Sequence, residues 1–373
     1  MAFTYVKQFC KKVQWKRYTT YYVIAALFAV LLLLDLFNVL DSANSRYMML
    51  VAVYAIMAIS LNLVVGVLGE LSLGHAGFIA VGAYAGALVS KALQAALPAA
   101  VYFPISMIAG GLVAAVFGVV IGLPVLRLKG DYIAIVTLAF CMIIYTVFIN
   151  LGFTGGAAGL KDIPTVTTYI NAFIVLIVAA VIIQNFVRSK HGRAIMSIRD
   201  NEIAARASGI NITYYKLFAF TLSAFIAGVG GCLYAHTGPI LRPNSMDYNM
   251  SIEILVMVVL GGMGSMTGSF VAAAVLTLLP EYLRFLQDFR MIIYAVVLIL
   301  IMIVNNNATL KGYKDRFIAW CKCILAKCWK KCTRALKRKE NAAETAGEAP
   351  EIPEKMSEVD ETSLDDTERK GEK

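Results

Sequence analysis

Charge is what this 373-residue sequence has least of. Asp, Glu, Lys and Arg make up 16% of its residues, against about 25% in a typical soluble domain. Hydrophobic residues make up 59%, and the mean hydropathy is +0.72. Long apolar stretches recur from residue 21 to residue 304. The composition therefore excludes an ordinary soluble domain and predicts a chain that crosses a membrane several times.

Motifs for catalysis are also missing from the sequence. It contains no G-x-x-x-x-G-K-[ST] phosphate-binding loop and no H-E-x-x-H zinc motif, and its three histidines are far apart. The seven cysteines form no secreted disulfide pattern. Four of them fall between residues 321 and 332, where free thiols are favoured over a metal site. We therefore expect a non-enzymatic chain that binds no cofactor of its own.

Basic residues are concentrated in blocks that flank the apolar stretches, mainly at 7–17, 188–206 and 311–339. Such blocks are typical of the cytoplasmic side of a membrane, and nucleic-acid binding is the weaker interpretation. After the last block the charge reverses, with twelve acidic and four basic residues in 340–373. The predicted parts are a basic cytoplasmic N-terminus (1–20), a transmembrane domain (21–304), a basic amphipathic cytoplasmic segment (305–339) and an acidic disordered tail (340–373).

The apolar stretches predict an all-α, polytopic membrane protein of about ten transmembrane helices. A helix needs about 20 residues to cross the hydrocarbon core. The eighth and tenth stretches are shorter, and the eighth is open to being a re-entrant half-helix. Ten spans place all the basic blocks and both termini in the cytoplasm. The predicted spans are residues 21–40, 47–68, 78–97, 101–123, 132–151, 169–187, 215–237, 251–260, 269–283 and 290–304.

Three glycine-rich breaks interrupt these stretches: GELSLGHAGF (69–78), FTGGAAGL (153–160) and GGMGSMTG (261–268). Non-helical backbone cannot face lipid, so each break must be buried in protein or line a wet cavity. The helix that follows a break points its N–H groups into the gap and can hold a carboxylate. Close helix packing is the alternative explanation. The predicted substrate-path residues are Ser72, Gly74, His75, Thr154, Gly155, Gly156, Gly264 and Ser265, with Ser72 and Ser265 either capping helices or contacting substrate.

Two of the breaks resemble each other. The stretches VLGELSLGHAGFIA (67–80) and VLGGMGSMTGSFVA (259–272) align when one residue is gapped. Breaks at corresponding positions in the two halves of a transporter indicate a translocation site. No series of acidic residues occurs in the middle of the spans, and this disfavours coupling to protons or sodium ions.

The polar stretch 188–214 divides the apolar part of the chain and predicts a short cytoplasmic helix. Asp200 is predicted to cap that helix, Glu202 suits its first turn, and Gly209 ends it. Ala204 and Ala205 give it a small-sided surface that fits a groove in a partner protein. A simple surface loop is the alternative.

The order of these motifs resembles a known family. Glu202-x-Ala204-Ala205-x3-Gly209 is similar to the "EAA" signature of ABC importer permeases. Together with GELSLGHAGFIAVGAYAGAL, LPVLRLKGDYIAIVTLAF, TGGAAGL, GRAIMSIRDNEIAARASGIN and VLGGMGSMTGS, it resembles the branched-chain amino-acid permease subunits of the LivM type over residues 47–300. One departure is Glu70, where that family usually has glutamine.

The resemblance implies an ABC importer permease fold in the bacterial inner membrane. The importer would take up leucine, isoleucine and valine by alternating access. Its other parts would be a second permease subunit, two cytoplasmic ATPase subunits that hold ATP and Mg²⁺, and an extracytoplasmic substrate-binding protein. Asp200 to Gly209 would be the coupling helix that docks on an ATPase. The alternatives are the same machine carrying urea, short amides or other amino acids, and an ion-coupled secondary transporter.

Overall fold

The structure is a computed structural model that describes residues 42–128 and 130–282, together with residues 295, 296 and 299. The predicted N-terminal segment, the first span and almost all of the tenth span lie outside the described residues. The predicted amphipathic segment 305–339 and the acidic tail 340–373 also lie outside them.

The described residues are mostly helical and contain no β-strand, so the predicted all-α fold is confirmed. A π-helix, Leu63–Leu68, continues the first helix, and short 3₁₀ turns lie at Gly152–Thr154, Gly156–Ala158 and Pro243–Met246. The helices are α1 (Ser42–Asn62), α2 (His75–Leu93), α3 (Ala99–Val125), α4 (Tyr132–Asn150), α5 (Tyr169–Arg188), α6 (Lys190–Asp200), α7 (Glu202–Ala207), α8 (Ile212–Ala235), α9 (Tyr248–Gly261) and α10 (Met266–Tyr282).

Six helices of the described part are long and apolar enough to cross a membrane: α1 with its π-helical end, α2, α3, α4, α5 and α8. They coincide with the second to seventh predicted spans, whereas the total of ten is not confirmed. Several helices begin two or three residues before the predicted span, as at Ile212 and Tyr248. The reason is that a first helical turn includes capping and polar residues, so the apolar pattern starts after the helix does.

Helix α9 is too short to cross a bilayer. Its 14 residues extend about 21 Å at 1.5 Å per residue, against a hydrocarbon core of about 30 Å. This helix corresponds to the eighth predicted span, for which a half-helix was the alternative.

Helix α8 packs against both α2 and α3 at the centre of the bundle. The three helices approach most closely at glycines. A Cβ atom on Gly82 would collide with the backbone of Gly228, and one on Gly110 would collide with the carbonyl of Gly82. Small residues of this kind let helix backbones approach closely in a membrane. Van der Waals packing then holds the helices together, because lipid provides no hydrophobic driving force between them. The outer face of α3 carries exposed apolar side chains at helical spacing, as expected for a surface that meets lipid: Val101, Ile105, Ile108, Leu112 and Val116.

Replacing Gly82 tests this close packing. We expect Gly82→Val to lower the thermal unfolding midpoint of the detergent-solubilised protein, because overpacking a tight contact costs about 1–3 kcal/mol or more. Gly152→Val is the matched control, since a Cβ at Gly152 has no atom within 4 Å. Equal midpoints for the two variants would contradict the packing at α2, α3 and α8.

Candidate substrate path and coupling site

The first break takes the chain back into the bundle. The π-helical end of α1 stops at Gly69, whose φ of 84° lies in the left-handed region that glycine adopts readily. The chain then returns beside α1 as far as His75, whose Nε2 atom lies 2.7 Å from the Ser60 hydroxyl. Ser60 precedes Leu68 by about two helical turns. Helix α2 therefore begins inside the bundle, about two turns from the end of α1.

A second re-entry comes from the opposite end of the bundle. Beyond α8, His236 contacts the Ser90 hydroxyl near the end of α2. The chain then runs back along α2, and the Tyr84 hydroxyl donates to the carbonyl of Leu241 at 3.2 Å. Helix α9 starts next, capped by Asp247, whose Oδ1 accepts from the backbone N–H of Asn249 at 2.9 Å. Helix α9 therefore also begins inside the bundle.

The two helices begin side by side at what we term the helix-start junction, formed by Ser60, Leu73, His75, Ala76, Thr137 and Ser251. The Ala76 N–H at the start of α2 donates to the Ser251 hydroxyl of α9 at 2.9 Å. The Leu73 N–H donates to the Thr137 hydroxyl of α4 at 3.1 Å. Ser60, His75, Thr137 and Ser251 are all fully or almost fully buried. Side chains of neighbouring helices thus pair the backbone groups that the break leaves free.

Ser72 does not cap α2, which corrects one of the two roles predicted for it. Its hydroxyl is buried and has no hydrogen-bond partner among the described residues, and Ser251 of another helix takes the capping position. The reason is that the residue at the N-cap of α2 is Gly74, which has no side chain to accept a bond. Ser265 does cap a helix start, since its Oγ accepts from the N–H of Gly268 at 3.2 Å.

The break at 261–268 contacts the end of α1 and its π-helix. The N–H of Gly264 donates to the Asn62 side-chain carbonyl at 2.8 Å. A Cβ atom on Gly66 would collide with the backbone of Gly264, so the π-helix and the α9–α10 turn approach as closely as backbones can. The contact lies at the end of the bundle that carries α6 and α7, which we term the α7 end.

The third break lies at the opposite end, after α4. The Thr154 hydroxyl donates to the carbonyl of Leu151 at 2.8 Å and is buried. Gly155 and Gly156 follow with positive φ angles, and Leu160 pairs with Leu241 as an isolated β-bridge. The predicted path residues therefore occupy three levels: Thr154, Gly155 and Gly156 at this end, Ser72, Gly74 and His75 near the helix-start junction, and Gly264 and Ser265 at the α7 end.

The predicted coupling helix is present as α7, but Asn201 caps it instead of Asp200. The Asn201 side chain accepts from the N–H of Ala204 at 3.0 Å. An N-cap needs non-helical backbone, and Asn201 has it (φ −158°, ψ 103°), whereas Asp200 is the last residue of α6 and pairs with Arg199 at 3.1 Å. Glu202 begins α7, as predicted.

Helix α7 presents an apolar side chain that the sequence interpretation missed. Ile203 is 82% exposed, and Ala204 beside it is also exposed, whereas Ala205 packs inward. Gly209 follows with a φ of 79°, and a Cβ there would meet nothing within 4 Å. Ile203 is thus the large apolar side chain that this short helix exposes.

A buried lysine links α7 to the first break. The Lys216 Nζ lies 2.6 Å from a carboxylate oxygen of Glu70 and 3.2 Å from one of Glu202. Its side chain is 9% exposed and that of Glu70 is 15% exposed. Glu70 and Lys216 are far apart in sequence, so no local pattern identifies the pair. The start of α9 is different, because Asp247 is a residue type that commonly caps a helix and is visible in the sequence.

Six helices long and apolar enough to cross a membrane, together with helices that begin inside the bundle, are typical of a polytopic membrane permease. A family model described as "Branched-chain amino acid transport system / permease component" matches residues 44–304, and the chain belongs to that family of ABC-type permeases. It is thus a multi-pass membrane protein and a transport subunit.

Several relatives match the chain over much of its length. It is 34% identical to the High-affinity branched-chain amino acid transport system permease protein LivM of Salmonella typhimurium, over 67% of this chain and 66% of that protein. The Escherichia coli LivM is also 34% identical, over 68% and 67%. The Ribose import permease protein RbsC of Haemophilus influenzae is 25% identical, over 68% and 82%. The chain thus spans about two thirds of the LivM relatives. No solved structure shows a significant match.

Removing the Ser251 hydroxyl tests the helix-start junction. We expect Ser251→Ala to lower the free energy of unfolding by about 1–3 kcal/mol, because the buried Ala76 N–H loses its acceptor and gains no water. Ser265→Ala is the matched control, since Ser265 is exposed and water replaces its capping bond. Thermal unfolding in detergent measures both variants, and an equal or smaller loss for Ser251→Ala would contradict the junction.

Proposed function

We propose that this chain is the membrane subunit of an ATP-driven importer for leucine, isoleucine and valine. Separate ATPase subunits bind ATP and Mg²⁺, and this chain holds no cofactor. Its family membership and the LivM relatives support the substrate class. The observation that carries the mechanism is α7, a capped six-residue helix with a side chain as exposed as Ile203.

The ATPase docks at α7. Glu202, Ala204 and Gly209 match the signature that the sequence shares with importer permeases, and Ile203 supplies an apolar anchor among them. A helix held by a side-chain cap at Asn201 and a glycine turn at Gly209 keeps its shape when pushed. Closure of two ATPase subunits therefore moves α7 as a rigid piece and changes the balance between two arrangements of the bundle.

The substrate path follows the three levels of broken helix. It starts at Thr154, Gly155 and Gly156, passes Ser72, Gly74 and His75, and leaves by Gly264 and Ser265. The buried state of Ser72 and His75 supports a path that is closed at the middle level in this arrangement. Alternating access requires that the path is closed at one level at a time. The level that is closed changes as the ATPases act.

A second permease subunit completes the path. Asn249 and Glu253, one turn apart on α9, are exposed on this chain although α9 starts inside the bundle. Polar and ionisable side chains at such a depth face protein or a wet cavity instead of lipid. A partner permease against this face of α9 supplies that environment. The substrate-binding protein delivers amino acids at the end of the bundle opposite α7, where Thr154 lies. Both termini then lie in the cytoplasm of a bacterial cell, with the spans in its inner membrane.

Charging the tip of α7 tests the docking step. We expect Ile203→Asp to abolish ATPase co-purification and leucine uptake while the protein remains in the membrane, because Ile203 is 82% exposed and supports no packing. Phe153→Asp is the matched control for co-purification, since Phe153 is 66% exposed at the opposite end. Retained co-purification by Ile203→Asp would contradict docking at α7.

Competition for uptake tests the substrate class. In cells that express the complete importer, an excess of isoleucine or valine should reduce uptake of labelled leucine at least about tenfold, whereas urea and ribose should not. Side chains that differ by one methylene are separated by only about 1–3 kcal/mol in an apolar pocket, so the three amino acids should compete. Strong competition by urea would assign the chain to the short-amide alternative. Transport by the purified chain alone would favour an ion-coupled transporter.

A further inference from the structure

The ion pairs of Lys216 join two segments that have separate roles in the proposed importer. Lys216 lies one turn into α8, just after the Asn211 cap. It reaches Glu70, in the segment that re-enters the bundle, at 2.6 Å, and Glu202, the first residue of α7, at 3.2 Å. One buried ammonium group is thus shared between the docking helix and the path.

Stability alone is a poor explanation for charges placed here. Taking a lysine and a carboxylate out of water is costly, and apolar residues of similar volume often replace a buried ion pair without loss. A charge pair does hold two separate elements at one fixed distance and direction. This property suits a connection between moving parts.

Helix α7 has few other attachments to the bundle. Among its six residues, Ala205 is the buried one, and Arg206 pairs with Glu202 at the surface at 3.3 Å. The pair between Glu202 and Lys216 is the polar connection from α7 to α8, beside the packing of Ala205 with Ile212.

A second connection runs beside the first. The Arg199 guanidinium, next to α7 at the end of α6, donates to the carbonyl of Gly66 at 2.8 Å. Its side chain also packs over Gly69, where the chain turns back. The re-entrant segment that starts there ends at the helix-start junction, through the bonds of Leu73 and Ala76. A displacement of α7 thus has a route to that junction through the two ion pairs of Lys216 and then along the backbone of the re-entrant segment.

We propose that Lys216, paired with Glu70 and Glu202, is a positioning residue that transmits movement of α7 to the re-entrant segment 69–74. The proposal rests on the proposed function, since it assigns the regulation of that same path. When Lys216 contacts both carboxylates, a movement of α7 displaces Glu70 and with it the start of α2. When these ion pairs are broken, α7 still docks and moves, but the re-entrant segment 69–74 does not move with it.

The test is the number of leucine molecules transported for each ATP hydrolysed, measured with the complete importer in proteoliposomes. We expect Lys216→Met to hydrolyse ATP at close to the wild-type rate and to lower this ratio about tenfold, within the usual range of coupling between sites. Glu70→Gln should largely keep the ratio, because its amide oxygen still accepts from Lys216. Lys91→Met is the matched control, because Lys91 is 41% exposed and 3.9 Å from Asp162, and should leave the ratio unchanged.

The double variant Glu70→Gln with Lys216→Met separates transmission from folding. It leaves no unpaired charge between α8 and the re-entrant segment, so its thermal unfolding midpoint should match that of Glu70→Gln. Its ratio of leucine transported to ATP hydrolysed should stay low. A wild-type ratio in Lys216→Met or in the double variant would overturn the transmission role and leave the proposed function intact. A wild-type complex that hydrolyses ATP without moving any amino acid would overturn the proposed function, and the transmission role with it.

Discussion

Every backbone amide inside an apolar bundle needs a hydrogen-bond partner, and the two re-entrant segments of this chain depend on that constraint. Leu73 and Ala76 carry N–H groups that no helix of their own can satisfy, and hydroxyls of α4 and α9 accept from them. The broken segments are therefore held by side chains of other helices. A shift of α4 or α9 would therefore change these bonds directly.

The two ends of the bundle are built differently. At the α7 end, Gly264 of the break at 261–268 touches Gly66 of the π-helix, and the charged side chains of Arg199, Glu70 and Lys216 lie nearby. At the other end, the contacts are mostly backbone bonds and neutral groups, as between Leu160 and Leu241. Ionic contacts are concentrated at the end where we propose that the ATPase acts. This distribution is consistent with the proposed docking of an ATPase at the α7 end.

The sequence predicted the helices better than the site. Apolar period and length predicted α1 to α5 and α8, because each is a long continuous stretch. The two glycine-rich stretches at 67–80 and 259–272 resemble each other, and Gly264 of the second contacts Gly66, which directly precedes the first. What the sequence could not give were the partners across the fold, such as Ser251 for Ala76 and Lys216 for Glu70, since both depend on how distant helices pack. The Asp200 cap was wrong because Asp200 is the last residue of the preceding helix α6, so the non-helical position before α7 falls at Asn201.

Segment 72–76, although mostly non-helical, is buried or half-buried and bonded inside the bundle. Amide hydrogen exchange of the protein in lipid nanodiscs measures this directly. Peptides covering 72–76 should exchange as slowly as those from the core of α8, and much more slowly than those from the exposed loop at 161–162. Exchange of 72–76 as fast as that of the exposed loop would contradict the re-entrant arrangement on which the rest of the structure depends.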